Sequence, residues 1–178
     1  MKALNSIKRI IIISAVIIIS FLIQNTISLN TRTICVTPNI LLIVTCIFGY
    51  MNGKNEGIMV GFFCGLLVDI FFADIIGLNA LLYMYIGLFS GFFNRLYFRD
   101  MIYLPMTIIG FGDFAFNFGY FVFRFAFRNR LNFFYYFGHI ILPEIIFTVF
   151  AGVFIYKILY FINDKWLFKE QRSTLNFD

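Results

Sequence analysis

The stretch GFFCGLLVDIFF, residues 61–72, decides the fold class of this chain. It is apolar enough to lie in lipid, yet Gly61, Gly65 and Asp69 recur in it at intervals of four residues. Residues at this interval share one face of an α-helix. Small residues let two helices approach closely inside a bilayer, so this face is expected to pack against another helix. The stretch therefore predicts a membrane-spanning helix, with Gly57, Gly61 and Gly65 forming a ridge that leads to Asp69.

The composition of the whole chain points the same way. Hydrophobic residues make up 61% of the 178 residues and charged residues only 13%, whereas a soluble domain carries roughly 25% charged residues. The mean hydropathy is +0.89. The net charge of +5 is typical of basic cytoplasmic loops, and no basic helix, aromatic platform or zinc-finger spacing predicts nucleic-acid binding. We predict an integral membrane protein whose surroundings are the lipid bilayer.

Six apolar runs approach the roughly 20 residues that cross a bilayer core. They are residues 10–29, 33–51, 56–72, 77–94, 101–127 and 138–162. Most linkers are short and rich in turn residues, so neighbouring helices are expected to be antiparallel. The distribution of Lys and Arg places both termini in the cytoplasm. The prediction is one transmembrane domain over residues 1–178, an all-α bundle of six transmembrane helices.

Three arginines depart from this charge distribution. Arg124, Arg128 and Arg130 fall on the predicted outer side, in and beside the longest connection. They are expected either to be solvated there or to contact an acidic partner surface or anionic lipid headgroups.

Several ionisable residues lie inside the predicted spans, where each costs a few kcal/mol at the bilayer centre. Asp113 and Asn117 share a helix face, and Glu144 shares another with Thr148. We expect Asp69, Asp113 and Glu144 to face protein. Three roles are open to them: a hydrogen bond or ion pair that fixes the helix arrangement, a contact with a partner or lipid headgroup, or proton or ion transport.

No metal, cofactor or catalytic site is predicted. Cys35, Cys46 and Cys64 lack metal-ligand spacing, and His139 is the one histidine, with no second ligand to complete a site. Sequence signatures of hydrolases, zinc proteases and nucleotide-binding loops are missing from the chain.

Taken together, several motifs resemble the MreD family, membrane proteins that determine rod shape in bacteria. They are Pro38-Asn39 in PNILLIVT, the GxxxGLLxD pattern that ends at Asp69, the Gly77-Leu turn, and the Pro143-Glu144 start of the last helix. The resemblance makes these positions structural or partner-contact candidates rather than a catalytic site. The full set of candidates is Pro38, Asn39, Gly57, Gly61, Gly65, Asp69, Gly77, Asp113, Asn117, Pro143 and Glu144.

The resemblance implies a function as well as a fold. MreD-like proteins belong to the machinery that elongates the cell wall, with the single-span protein MreC, the filament MreB, the glycosyltransferase RodA and a penicillin-binding transpeptidase. No enzymatic activity is attributed to the family, and its fold is similar to the substrate-binding subunit of energy-coupling-factor transporters. We therefore expect a non-catalytic, multi-pass protein of the bacterial plasma membrane, without cofactor.

Two other functions are considered. A vitamin-binding transporter subunit is the first alternative, but the first helix, IIIISAVIIISFLIQ, lacks the alanine-xxx-alanine patch with which such subunits dock their energising partner. The second is an intramembrane enzyme or lipid carrier that uses Asp113 and Glu144, which no recognisable nucleophile, base or metal set accompanies.

Overall fold

A computed structural model describes the backbone of residues 2–30, 37–73, 75–96, 102–128, 138 and 141–175. Side chains are described for residues 9–28, 37–73, 75–95, 102–123, 138 and 141–161. Within these ranges the elements are helices joined by turns, without a strand, which confirms the all-α prediction. They are α1 (Lys2–Asn30), α2 (Ile40–Asn52), α3 (Lys54–Phe72), α4 (Leu78–Phe92) with a 3-10 turn (Phe93–Leu96), α5 (Tyr103–Arg128) and α6 (Leu142–Leu175).

Four of these helices contain a segment long and apolar enough to cross a membrane. The segments are Arg9–Ser28 in α1, Lys54–Phe72 that forms α3, Tyr103–Phe123 in α5 and Leu142–Phe161 in α6. Helices α2 and α4 have 13 and 15 residues, fewer than the roughly 20 that span a bilayer core. Crossing by all six helices therefore stays a prediction.

Helix α2 begins later than the predicted span at residues 33–51. Its first helical residue is Ile40, and Asn39 caps it by accepting a hydrogen bond from the Leu42 N–H at 3.3 Å. Pro38 lies one residue before this cap and outside the helix. Residues 31–36 lie outside the described part of the chain.

Helix α2 forms the centre of the bundle. It contacts each of the other five helices. Four consecutive residues of α2 are fully buried, namely Leu41, Leu42, Ile43 and Val44. A helix that is apolar on every side is one that other protein surrounds. The short length of α2 therefore fits a core helix.

Helices α3 and α4 pack as an antiparallel pair whose backbones touch. A methyl group added at Gly57, Gly61 or Gly65 would overlap the backbone of α4, at Gly87, Tyr83 and Ala80 respectively. The glycine ridge therefore faces a neighbouring helix, as the four-residue interval predicts. Such close approach is what small residues provide where no hydrophobic effect drives helices together.

The outer surface of the bundle is apolar along α1 and α6. On α6, one face carries exposed large side chains at intervals of three or four residues, namely Ile146, Phe150, Phe154, Ile158 and Phe161. This surface would be unfavourable in water, and its exposure is consistent with contact to lipid.

Candidate functional site

Asp69, one turn before the end of α3, is buried with 1% of its surface exposed and accepts four hydrogen bonds. Its Oδ1 accepts from the backbone N–H of Asn79 at 3.1 Å and from the side-chain amide of Asn79 at 3.0 Å. Its Oδ2 accepts from the N–H of Gly77 at 3.0 Å and of Ala80 at 2.9 Å. The carboxylate of α3 thus binds the start of α4.

The backbone N–H groups among these donors lie at the start of α4. The first N–H groups of a helix have no acceptor within that helix. Gly77 is the N-cap residue of α4 and has no side chain that could accept a hydrogen bond from these N–H groups. Its φ of 104° lies in the left-handed region, which glycine adopts without the steric penalty that a side chain brings. A negative charge is also favourable at this end of a helix dipole. Asp69 therefore caps α4 from the preceding helix, and Gly77 makes the turn that allows it.

A second set of polar side chains joins α2, α4, α5 and α6. We call it the polar cluster, and its members are Asn39, Tyr83, Asp113, Asn117, Glu144 and Thr148. Asn39 is the hub: its Oδ1 accepts from the Tyr83 hydroxyl at 2.6 Å, and its backbone N–H donates to the Thr148 hydroxyl at 3.2 Å. Through Asn39 the start of α2 is bonded to both α4 and α6.

Asp113 of α5 lies in this cluster with none of its surface exposed. Its carboxyl group is beside the Thr148 hydroxyl, yet within the described part of the chain neither Oδ atom makes a well-oriented hydrogen bond. The Asn117 amide donates to the backbone oxygen of Asp113 at 3.1 Å, not to its carboxyl group. Glu144 of α6 lies near the Asn117 amide and close enough to Asp113 for the two carboxyl groups to interact electrostatically.

A pocket of about 370 Å³ lies at the opposite end of the α3–α4 pair. Its lining residues are Gly53, Lys54, Gly91, Phe92, Asn94 and Arg95. The Lys54 ammonium lies 3.6 Å from the centre of the Phe92 ring, a cation–π contact. The Asn94 amide donates to the backbone oxygens of Tyr50 and Met51, which end α2, at 2.8 and 2.9 Å.

The sequence matches the family described as rod shape-determining protein MreD over residues 5–166 of 178. The chain belongs to the MreD family. The resemblance drawn from Pro38-Asn39, the glycine ridge and Asp69 is thereby confirmed. Comparison with curated proteins and with solved structures finds no significant match. The likeness of the MreD fold to the substrate-binding subunits of energy-coupling-factor transporters accordingly stays a prediction.

Six of the residues singled out by sequence in this MreD protein fall into two groups in space. Asn39, Asp113, Asn117 and Glu144 meet in the polar cluster, whereas Asp69 and Gly77 form the separate cap of α4. Pro143 is the second residue of α6, in the first turn, where the missing N–H of a proline removes no hydrogen bond of the helix. Arg130, Cys35 and His139, with the side chains of Arg124 and Arg128, lie outside the described part of the chain.

Sequence reasoning missed Asn79 and Asn94, which make hydrogen bonds between helices. Asn79 is the second residue of α4 and Asn94 lies in the 3-10 turn that follows this helix, positions where asparagine is common for local reasons. Nothing in the sequence separates a local turn bond from a bond to a distant helix. Among the described residues, no group of three His, Cys, Asp or Glu side chains comes together as a metal site would need.

Proposed function

We propose that this MreD-family protein is a non-catalytic membrane component of the bacterial cell-wall elongation machinery. Its proposed direct partner is an MreC-like membrane protein. A RodA-like glycosyltransferase, a penicillin-binding transpeptidase and the MreB filament are proposed as indirect partners. The observation that carries this proposal is the family match over residues 5–166.

The way in which polar groups are used supports a scaffold. Asp69 has all four of its hydrogen bonds within the α3–α4 pair, and Asn39 bonds to α4 and α6. Polar side chains that bond across helices fix their arrangement in a bilayer. A protein that positions others in the membrane needs such a fixed shape.

The proposal is tested first by depletion in cells combined with recovery of partners. Depletion is expected to convert rod-shaped cells to rounded ones, and affinity purification of the tagged chain is expected to recover the MreC-like protein. Normal shape after depletion, together with failure to recover that protein, would refute the proposal. Recovery of a tightly bound vitamin with no effect on shape would favour the transporter alternative.

Photo-crosslinking locates the partner on the surface. A photoreactive residue is placed in turn at the exposed positions Ile146, Phe150 and Phe154 of α6 and Ile18 and Leu22 of α1. At least one helix is expected to give a crosslink to the MreC-like protein. The matched control is the same residue at Ile43, which is fully buried and should give no intermolecular product.

A further inference from the structure

The polar cluster contains a carboxyl group that has no neutralising partner among the described residues. Asp113 is fully buried, and neither of its oxygens has a well-oriented hydrogen bond among the described residues. Glu144, a second carboxyl group, is close enough to interact with it electrostatically. A buried charge is strongly unfavourable unless it is paired, and a second negative charge beside it makes it more so.

Among the described side chains, those that face Asp113 from the three helices packed against α5 supply no positive charge. Helix α2 contributes Cys46, helix α4 contributes Tyr83, and helix α6 contributes Glu144 and Thr148. Thiol, phenol and hydroxyl groups are uncharged in their ordinary state, and a carboxyl group is acidic. The described groups around Asp113 therefore include no cation that could neutralise it.

The cationic side chains of the described part lie elsewhere. Arg9 pairs with a glutamate at the start of α3, and Lys54 and Arg95 line the pocket at the far end of the α3–α4 pair. Lys157 is exposed and lies nine residues beyond Thr148, roughly 13 Å along the axis of α6 at the usual rise per residue.

We propose that the polar cluster binds one small monovalent cation, a proton or Na⁺, between Asp113 and Glu144. Its ligands are hard oxygen atoms, which suit such cations. The Thr148 hydroxyl accepts from the Asn39 N–H, so its own proton is free to point at the Asp113 carboxyl group. The Asn117 side chain, beside Glu144, borders the same space. The bound cation neutralises the pair and thereby holds α5 against α6.

The test uses the purified full-length chain in lipid nanodiscs, with its thermal unfolding followed in acid, neutral and alkaline buffers. Each buffer contains either choline chloride or sodium chloride. If the cation is Na⁺, sodium stabilises the wild type relative to choline, most clearly in alkaline buffer, and the folding constant rises up to about tenfold per tenfold increase in sodium. If it is a proton bound only in the folded state, the folding constant falls by up to about tenfold per pH unit as pH rises, whichever salt is present.

Asp113→Asn and Glu144→Gln are the variants that remove one carboxyl charge each. Both variants are expected to lose most of the dependence of the folding constant on sodium or pH that the wild type shows. Glu56→Gln is the matched control, because that carboxyl group already has an ion-pair partner in Arg9, and it should retain the dependence. Identical responses to pH and sodium in wild type and Asp113→Asn would overturn the proposal.

A direct measurement on the wild type covers the case in which the variants fail to fold. Infrared difference spectra between acid and alkaline buffers, and between sodium and choline buffers, report the carboxyl groups themselves. A protonated-carboxyl band at neutral pH, or a carboxylate band that shifts with sodium, supports the proposal. The absence of both overturns it and indicates an ionised carboxylate paired with a fixed cation of the protein.

Discussion

Replacing Asp69 with alanine is expected to release the start of α4 from α3. The substitution removes the acceptor of four hydrogen bonds, three of which are buried. Hydrogen bonds between helices in membrane proteins average about 0.6 kcal/mol each, because the unfolded chain in the bilayer finds other partners. Four bonds at that average set a lower value of about 2 kcal/mol for the loss of unfolding free energy.

The upper value follows from what is left behind. Asn79 and Ala80 keep buried backbone donors without an acceptor, and two such donors at about 2 kcal/mol each, the middle of the usual range, set an upper value of about 4 kcal/mol. Loss of a helix cap alone costs about 0.5–2 kcal/mol. Because Gly77 is exposed, water or headgroups can reach its N–H. We therefore expect Asp69→Ala to lower the free energy of unfolding by about 2–4 kcal/mol.

Two further variants separate this explanation from a simple loss of side-chain volume. Asp69→Asn has nearly the same size and keeps one of the two acceptor oxygens, while its amide NH₂ group faces N–H donors. We therefore expect it to lose about half as much free energy of unfolding as Asp69→Ala. Ile70→Ala is the control, because Ile70 is adjacent and 60% exposed on the other face of α3. A surface substitution of this kind is expected to change stability by about 0.5 kcal/mol or less.

The measurement is unfolding of the purified chain in mixed micelles by increasing sodium dodecyl sulfate. Helix content and the reaction of Cys64 with a thiol reagent are both followed. Cys64 lies on the buried face of α3 with 0% of its surface exposed, so its reaction reports separation of α3 from its neighbours. If Asp69→Ala is no less stable than Ile70→Ala, and Cys64 reacts no faster, the capping explanation is refuted.

The other predictions use the same measurement. Gly65→Ala adds a methyl group that overlaps the backbone of α4 and is expected to cost more than about 2 kcal/mol. Gly110→Ala adds a methyl group whose nearest neighbour, at 3.3 Å, is a side-chain methyl group of Val149 and not backbone, so its loss should be clearly smaller. Equal losses would contradict the backbone contact. Tyr83→Phe removes the bond to Asn39 and should cost about 1 kcal/mol. The exposed Tyr85→Phe is its control, and equal stability of the two would show that the bond contributes nothing.

The sequence was sufficient to predict which face of α3 meets protein. That Gly57, Gly61 and Gly65 share one face follows from helix geometry alone. The prediction therefore holds whichever helix is the neighbour. The identity of that neighbour followed from a short linker, which forces α4 to run back along α3. Local rules of this kind carry over to the folded chain directly.

The partner of Asp69 was beyond the reach of the sequence. Depth in the bilayer can be estimated from the position of a residue within its span. Position around the bundle is set by how helices pack, which no single helix encodes. The structure places Asp113 and Glu144 together and assigns Asp69 to the cap of α4.

The start of α2 was misjudged for a different reason. Hydropathy alone extends the run back to residue 33, because it does not register backbone preference. The residue before a proline is disfavoured in a helix, and Asn39 supplies a cap immediately after Pro38. Both signals favour a helix that begins at Ile40, where the structure has it.

Two helix pairs in the bundle, α3–α4 and α5–α6, are held together by different means. In α3–α4, glycines bring backbone onto backbone and Asp69 has a complete set of hydrogen bonds, so that pair has little freedom to shift. In α5–α6, a methyl group added at Gly110 or Gly152 would meet side-chain methyl groups at 3.3 and 3.1 Å rather than backbone. The carboxyl group at this second interface, Asp113, lacks a full set of partners. A bound cation or a partner helix would therefore alter the packing of α5 against α6 first, with α3–α4 acting as the fixed frame.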